Sequence, residues 1–172
     1  MKKLAIALAT ASTLIASANS VAGTSTGTIL VNAVVVSSCI VTAVPLVFGN
    51  YDGTAATDTT ASTPVTLVCA GTSTATLTLN NGENFTSSRR MKNAAVLDAG
   101  SEFLSYGLFK PTSATPLAAC AYSAPWGASA NGFAVAGIGL TAAVFNVCGS
   151  IPKGQNVSFG AYTDTVVVTA TF

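Results

Sequence analysis

A chain of 172 residues is long enough for one domain with a real hydrophobic core. Apolar residues make up 50% of it and charged residues only 8%, with a formal net charge of +1, which excludes intrinsic disorder and a basic nucleic-acid surface. The chain has no histidine, so imidazole triads and imidazole metal ligands are excluded as well.

From the N-terminus, Lys2-Lys3, an apolar run over residues 4–16 and the small residues Ser20-Val21-Ala22 make the three parts of a secretory signal. Cleavage is expected after Ala22, with Ala18 as the weaker site. The run is shorter than the roughly 18–20 residues that cross a bilayer, so it reads as a signal for export and not as an anchor. Residues 1–22 are therefore set apart from a mature domain over 23–172.

Residues 23–36 begin polar, with Thr24-Ser25-Thr26-Gly27-Thr28, and then become apolar. In an extended chain one face carries Ile29, Val31, Ala33 and Val35, and the other Leu30, Asn32, Val34 and Val36. A strand apolar on both faces has to be covered on both sides. Two readings stay open: an ordinary first strand of the chain's own sandwich, or a donor strand that completes a neighbouring subunit by β-augmentation.

Cys39, Cys69, Cys120 and Cys148 remain after cleavage, an even number that points to disulfides in an exported chain and allows three connectivities. The sequential one, Cys39–Cys69 with Cys120–Cys148, is adopted. Each bridge closes a loop of about thirty residues, for which chain entropy suggests about 3.5 kcal/mol. The spacing fits no metal site.

Alternating patterns dominate the mature chain. Pro64-Val65-Thr66-Leu67-Val68-Cys69 reads as a strand with proline at its first position, and Thr76-Leu77-Thr78-Leu79-Asn80 as another, followed by the turn signal Asn81-Gly82. Arg89-Arg90-Met91-Lys92 reads as a solvated hairpin face. Residues 94–97 have the pattern of one helical turn. Phe103-Leu104-Ser105-Tyr106-Gly107-Leu108-Phe109 is a strand ended by Lys110-Pro111. Trp126 in a Gly/Ala-rich stretch reads as a packing residue, against the alternative of a sugar platform. The last segment, residues 165–172, is strongly β-branched. Its edge, with Val166, Val168, Ala170 and Phe172, is expected to border a groove that nothing later in the chain fills.

The order of several landmarks resembles the spore coat protein U domain family, which includes subunits of archaic, Csu-type chaperone–usher pili. They are Cys39, Phe48-Gly49-Asn50-Tyr51, Cys69, Arg90-Met91, residues 104–108 and the C-terminal Gly160-Ala161-Tyr162-Thr163-Asp164 leading into the β-branched run. The resemblance implies an all-β, immunoglobulin-like antiparallel sandwich that lacks its C-terminal strand and is completed by donor-strand exchange. It also implies a Cys39–Cys69 bridge, a structural role for Arg90, and a periplasmic chaperone, an outer-membrane usher and neighbouring pilin subunits as partners. Cys120, Cys148 and the Gly/Ala-rich residues 125–139 depart from the simplest form of that pattern.

The expected function is that of a structural pilus subunit supporting adhesion and biofilm formation, with no cofactor, no metal and no nucleic acid. The alternative is a self-contained secreted coat or carbohydrate-binding sandwich. Catalysis is not expected: Asp52, Asp58, Glu83, Asp98, Glu102 and Asp164 stand in turn-like contexts, and no pair is placed together by the sequence.

Overall fold

The computed structural model describes residues 22–72, 74–95 and 102–172. Residues 1–21 of the secretory signal, Asp98 and residues 96–97 of the 94–97 turn lie outside the described residues, and residues 94–95 are a turn. The chain divides into two units, residues 1–33 and 34–172. Residues 22–33 carry neither helix nor strand, and the fold described below is that of the second unit.

That unit is built from nine strands and a single short 3₁₀ turn at Ser129–Asn131 among the described residues. The strands are β1 (Ser38–Ala43), β2 (Thr59–Ala70), β3 (Thr74–Leu79), β4 (Arg89–Lys92), β5 (Phe103–Pro111), β6 (Cys120–Pro125), β7 (Phe133–Ala136), β8 (Ala143–Ile151) and β9 (Val168–Thr171). One sheet runs in the order β1-β2-β8-β5-β4, with β6 also on β5, and the other in the order β7-β3-β9. Every pairing between them is antiparallel. This is the all-β sandwich that the alternation implies.

Period two explains the core directly. Val65, Leu67 and Cys69 of β2, Ala75, Leu77 and Leu79 of β3, and Leu104, Tyr106 and Leu108 of β5 all point inward. β8 supplies Phe145 and Val147 from the centre of the larger sheet. Trp126 is fully buried, donates its indole Nε1–H to Leu77 O at 2.9 Å and packs on Phe133 at 5.1 Å between ring centres. That burial removes it as a sugar platform. The bridges are Cys39–Cys69, joining residues directly opposite on β1 and β2, and Cys120–Cys148, joining β6 to β8.

Four details differ from the sequence reading. Pro64 is not the first residue of its strand but lies inside β2, opposite Asn146. It is tolerated there because β1 ends opposite Val65, leaving β2 an edge on that side. Gly82 takes φ 81° and donates its N–H to Asn80 Oδ1, but the turn falls on Glu83 and Asn84 and leads to no tight hairpin, since β4 pairs with β5 and not with β3. β5 continues through Lys110-Pro111, paired with β6 across an irregularity. The last strand is only Val168–Thr171, because its partner β3 ends at Leu79, opposite Val168.

Truncating the indole should test this packing. Trp126→Ala is expected to cost roughly 3–5 kcal/mol by opening a cavity, read from urea denaturation followed by circular dichroism. Trp126→Phe should cost less, losing mainly the bond to Leu77 O.

Candidate functional site: an apolar groove between two sheet edges

β1 pairs only with β2, and β9 only with β3, among the described strands. Between the segment that leaves β1 and the segment that enters β9 lies an open groove of about 430 Å³. Residues 43–48 form one bank and residues 162–168 the other. The floor is the sandwich core itself: Val65, Leu79, Leu108 and Val147. The groove continues past Leu46, Phe48, Met91 and Tyr162 into a wider part of about 1170 Å³ bordered by residues 157–162. No strand lies between the two banks among the described residues.

Each bank is held in place by a buried or half-buried polar group. On the first, the Thr63 hydroxyl, 7% exposed, donates to Val44 O at 2.9 Å and reaches Pro45 O at 3.2 Å. On the second, the Asp164 carboxylate accepts from Tyr106 Oη at 2.6 Å, Glu83 N at 2.9 Å, Thr165 N at 2.9 Å and Asn84 Nδ2 at 3.4 Å. Asp164 is thus the anchor that ties the bank to β5 and to the turn after β3. A lysine–backbone bridge adds to it, with Lys92 and Thr163 exchanging main-chain bonds at 2.8 and 3.0 Å.

The arginines beside this anchor are structural. Arg89 donates to Asn80 O at 2.6 Å through Nη2 and at 3.0 Å through Nε, and to Leu79 O at 3.3 Å. Arg90 donates Nε–H to Asn84 O at 3.0 Å and lies 4.0 Å over the Phe103 ring. The hairpin face expected to be solvated is therefore half-buried at Arg89 and Arg90, because both guanidinium groups serve carbonyls at the end of β3 and in the turn that follows. Only Lys92 of the three cations is exposed, with Glu102 at 3.9 Å. Burial pulls the Arg89 guanidinium below its ordinary range, partly offset by Tyr106 and Asp164. Burial, followed by the bond to Asp164, pushes the Tyr106 phenol well above the ordinary tyrosine range.

The residues singled out from the sequence fall into two groups. Val166 and Val168 line the groove, half-buried, while Ala170 packs on the core further along β9 and Phe172 lies past the paired stretch, about half exposed. Ile29, Val31, Ala33 and Val35 are exposed and belong to no strand, as are Leu30, Val34 and Val36. The first strand of the sheet starts at Ser38, after residues 29–36. The sequence reading missed the bank formed by residues 43–48 and the anchoring role of Asp164, whose donors come from residues distant in the chain.

The Spore Coat Protein U domain matches residues 25–169. The chain belongs to that family. It is similar to Protein U of Myxococcus xanthus, 37% identical over an alignment of 138 residues that covers 73% of this chain and 70% of that protein. Among solved structures it resembles a chain of the chaperone–tip adhesion subunit pre-assembly complex, CsuC–CsuE, from archaic chaperone–usher Csu pili of Acinetobacter baumannii. The TM-score is 0.55 at 22% identity, covering 80% of this chain and 40% of that one. The spore coat U chain thus shares its fold with a chain of that complex while spanning less than half of that neighbour.

The raised phenol gives a signed expectation. A group that holds its proton more tightly in the folded state leaves stability intact below the unfolded tyrosine value of ~10 and lowers it as pH rises above that value. Denaturation midpoints measured from about pH 8 to about pH 12 should fall above ~10, and Tyr106→Phe should flatten part of that fall.

Proposed function

We propose that this chain is an exported structural subunit of a chaperone–usher pilus, and that residues 29–36 of one copy fill the groove of the next. The observation that carries this reading is a complementarity within one sequence. Residues 22–37 contain no charged residue, expose apolar side chains on both faces and belong to no strand. The groove offers two banks that continue from the ends of β1 and β9, an apolar floor and, on its lining, no acidic or basic side chain but the fully engaged Asp164.

A strand placed there would find main-chain partners along the banks and bury alternate side chains, as in strand addition generally. With Ile29, Val31, Ala33 and Val35 facing the floor, apolar burial would contribute on the order of 5–9 kcal/mol, less the cost of ordering the polar leader. An unfilled groove is an aggregation hazard. A periplasmic chaperone that covers it, and an outer-membrane usher that exchanges the cover for the next subunit, are the partners this hazard calls for. The pilin fold and the chaperone named for the structural neighbour support that assignment.

Lys2-Lys3 and the apolar residues that follow support export, with cleavage near Ala22. Adhesion and biofilm formation are the roles such a fibre would serve. A non-enzymatic role agrees with the carboxylate at the groove, which is spent on four hydrogen bonds within the chain.

Deleting residues 23–36 should leave a protein that folds but does not polymerise, seen by circular dichroism and by electron microscopy of assembled material. Fibres as abundant as those of the full chain would refute donation by this segment. Replacing Ile29 and Val31 by Ser should weaken polymers without changing the melting of the subunit itself.

A further inference from the structure

Phe159 is 97% exposed, yet the backbone carrying it is pinned on both sides. Ser158 O accepts from Tyr162 Oη at 2.6 Å, and Phe159 O accepts from Asn93 Nδ2 at 3.1 Å. Asn93 is itself buried, with its Oδ1 accepting from Ala95 N at 3.0 Å and its own N–H donating to Glu102 O at 2.8 Å. Gly160 follows with φ 140°, and a Cβ there would strike the Asn93 amide, so this close approach requires glycine. The result is a large apolar ring projected into water from a fixed frame. It lines the wide part of the groove, as does Val47 from the other bank, which is 76% exposed.

The segment proposed to enter this groove has two apolar faces, and the floor can cover only one of them. With Ile29, Val31, Ala33 and Val35 turned inward, Leu30, Val34 and Val36 look outward. We infer that Phe159 closes over this outward face, opposite Val47, so that rim and floor together enclose the donated strand. The ring is then a clasp on the link between subunits and no part of its own core. The occupant is the segment of a second copy of this chain, since the wide part of the groove is lined without a single Lys, Arg, Asp or Glu and residues 22–37 are equally uncharged. The inference rests on the strand-donation reading.

The test uses the full chain and a fluorescent synthetic peptide of residues 24–37, with release followed by anisotropy after an unlabelled chase. Release from Phe159→Ala should be about tenfold faster than from the unchanged chain, equivalent to about 1.4 kcal/mol, with Phe159→Leu in between. A peptide carrying Leu30→Ser and Val34→Ser should leave quickly from the unchanged chain and gain no further speed from Phe159→Ala, because the two changes remove the same contact. Equal release from Phe159→Ala and the unchanged chain, or effects that simply multiply, would overturn the clasp while leaving donation intact. Failure of the unchanged chain to capture the peptide would overturn both. The peptide-free melt of Phe159→Ala should match that of the unchanged chain; a lower one would make the ring a core residue and also overturn the clasp.

Discussion

The Tyr106–Asp164 hydrogen bond fixes one bank of the groove to the larger sheet. Tyr106 stands on β5 with its ring in the core and its hydroxyl at the groove, where Asp164 receives it at 2.6 Å. The same carboxylate gathers the turn after β3 through Glu83 N and Asn84 Nδ2. Residues 162–168 are thereby fixed as a bank and cannot close onto residues 43–48, which Thr63 fixes from the other side. A pair of half-buried polar clamps is costly unless every lone pair is met, and here the carboxylate is met four times. The groove is therefore a built feature of the fold and not a packing fault.

Holding such a groove open has consequences for the surface as a whole. With charged residues at 8%, the molecule has few ions with which to discourage association along its open edge. Lysines and prolines that blunt exposed strands elsewhere are absent from residues 165–172. The arginines lie on β4 and are spent on carbonyls of the β3 end and its turn. A chain that protected itself better would also reject the strand it is proposed to receive. Solubility of the lone subunit and tightness of the link draw on the same apolar side chains, in opposite directions.

Much of this was legible from residue order. The alternation through Val65, Leu67 and Cys69, through Leu77 and Leu79, and through Leu104, Tyr106 and Leu108 names three strands and their inward faces, because side-chain direction in a strand is local. Cysteine parity and export narrow the bridges to three pairings, of which the sequential one occurs. What was not legible depends on contacts distant in sequence. Pro64 looks like a strand start until β1 is seen to stop opposite Val65. Residues 165–167 look like strand until β3 is seen to end, with Asn80 alone meeting Val167 through its own N–H and its side-chain oxygen. Arg89 and Arg90 look solvated until the carbonyls they serve are brought beside them. Phe159, between Ser158 and Gly160 and three residues before Tyr162, gives no sign of its exposure.

The position of the first disulfide bears on how a fibre of the proposed kind would carry load. Residues 29–36 are separated from Cys39 by only two residues, so tension on a donated strand would reach the donor's own domain at the start of β1. β1 is an edge strand six residues long, held by β2 on one side only, and alone it would be the first element to peel away. Cys39 lies directly opposite Cys69, so the bridge passes tension covalently into β2 at its C-terminal end. From there β2 and β8 share a register from Thr59↔Ile151 to Leu67↔Ala143, the longest ladder among the described strands, and an antiparallel ladder pulled along its length loads its hydrogen bonds together instead of one at a time. The second bridge, Cys120–Cys148, fastens β6 to that same β8. Both bridges thus converge on the central pair of the larger sheet, and reduction of Cys39–Cys69 would transfer the load to the six paired residues of β1, the weakest ladder on the path.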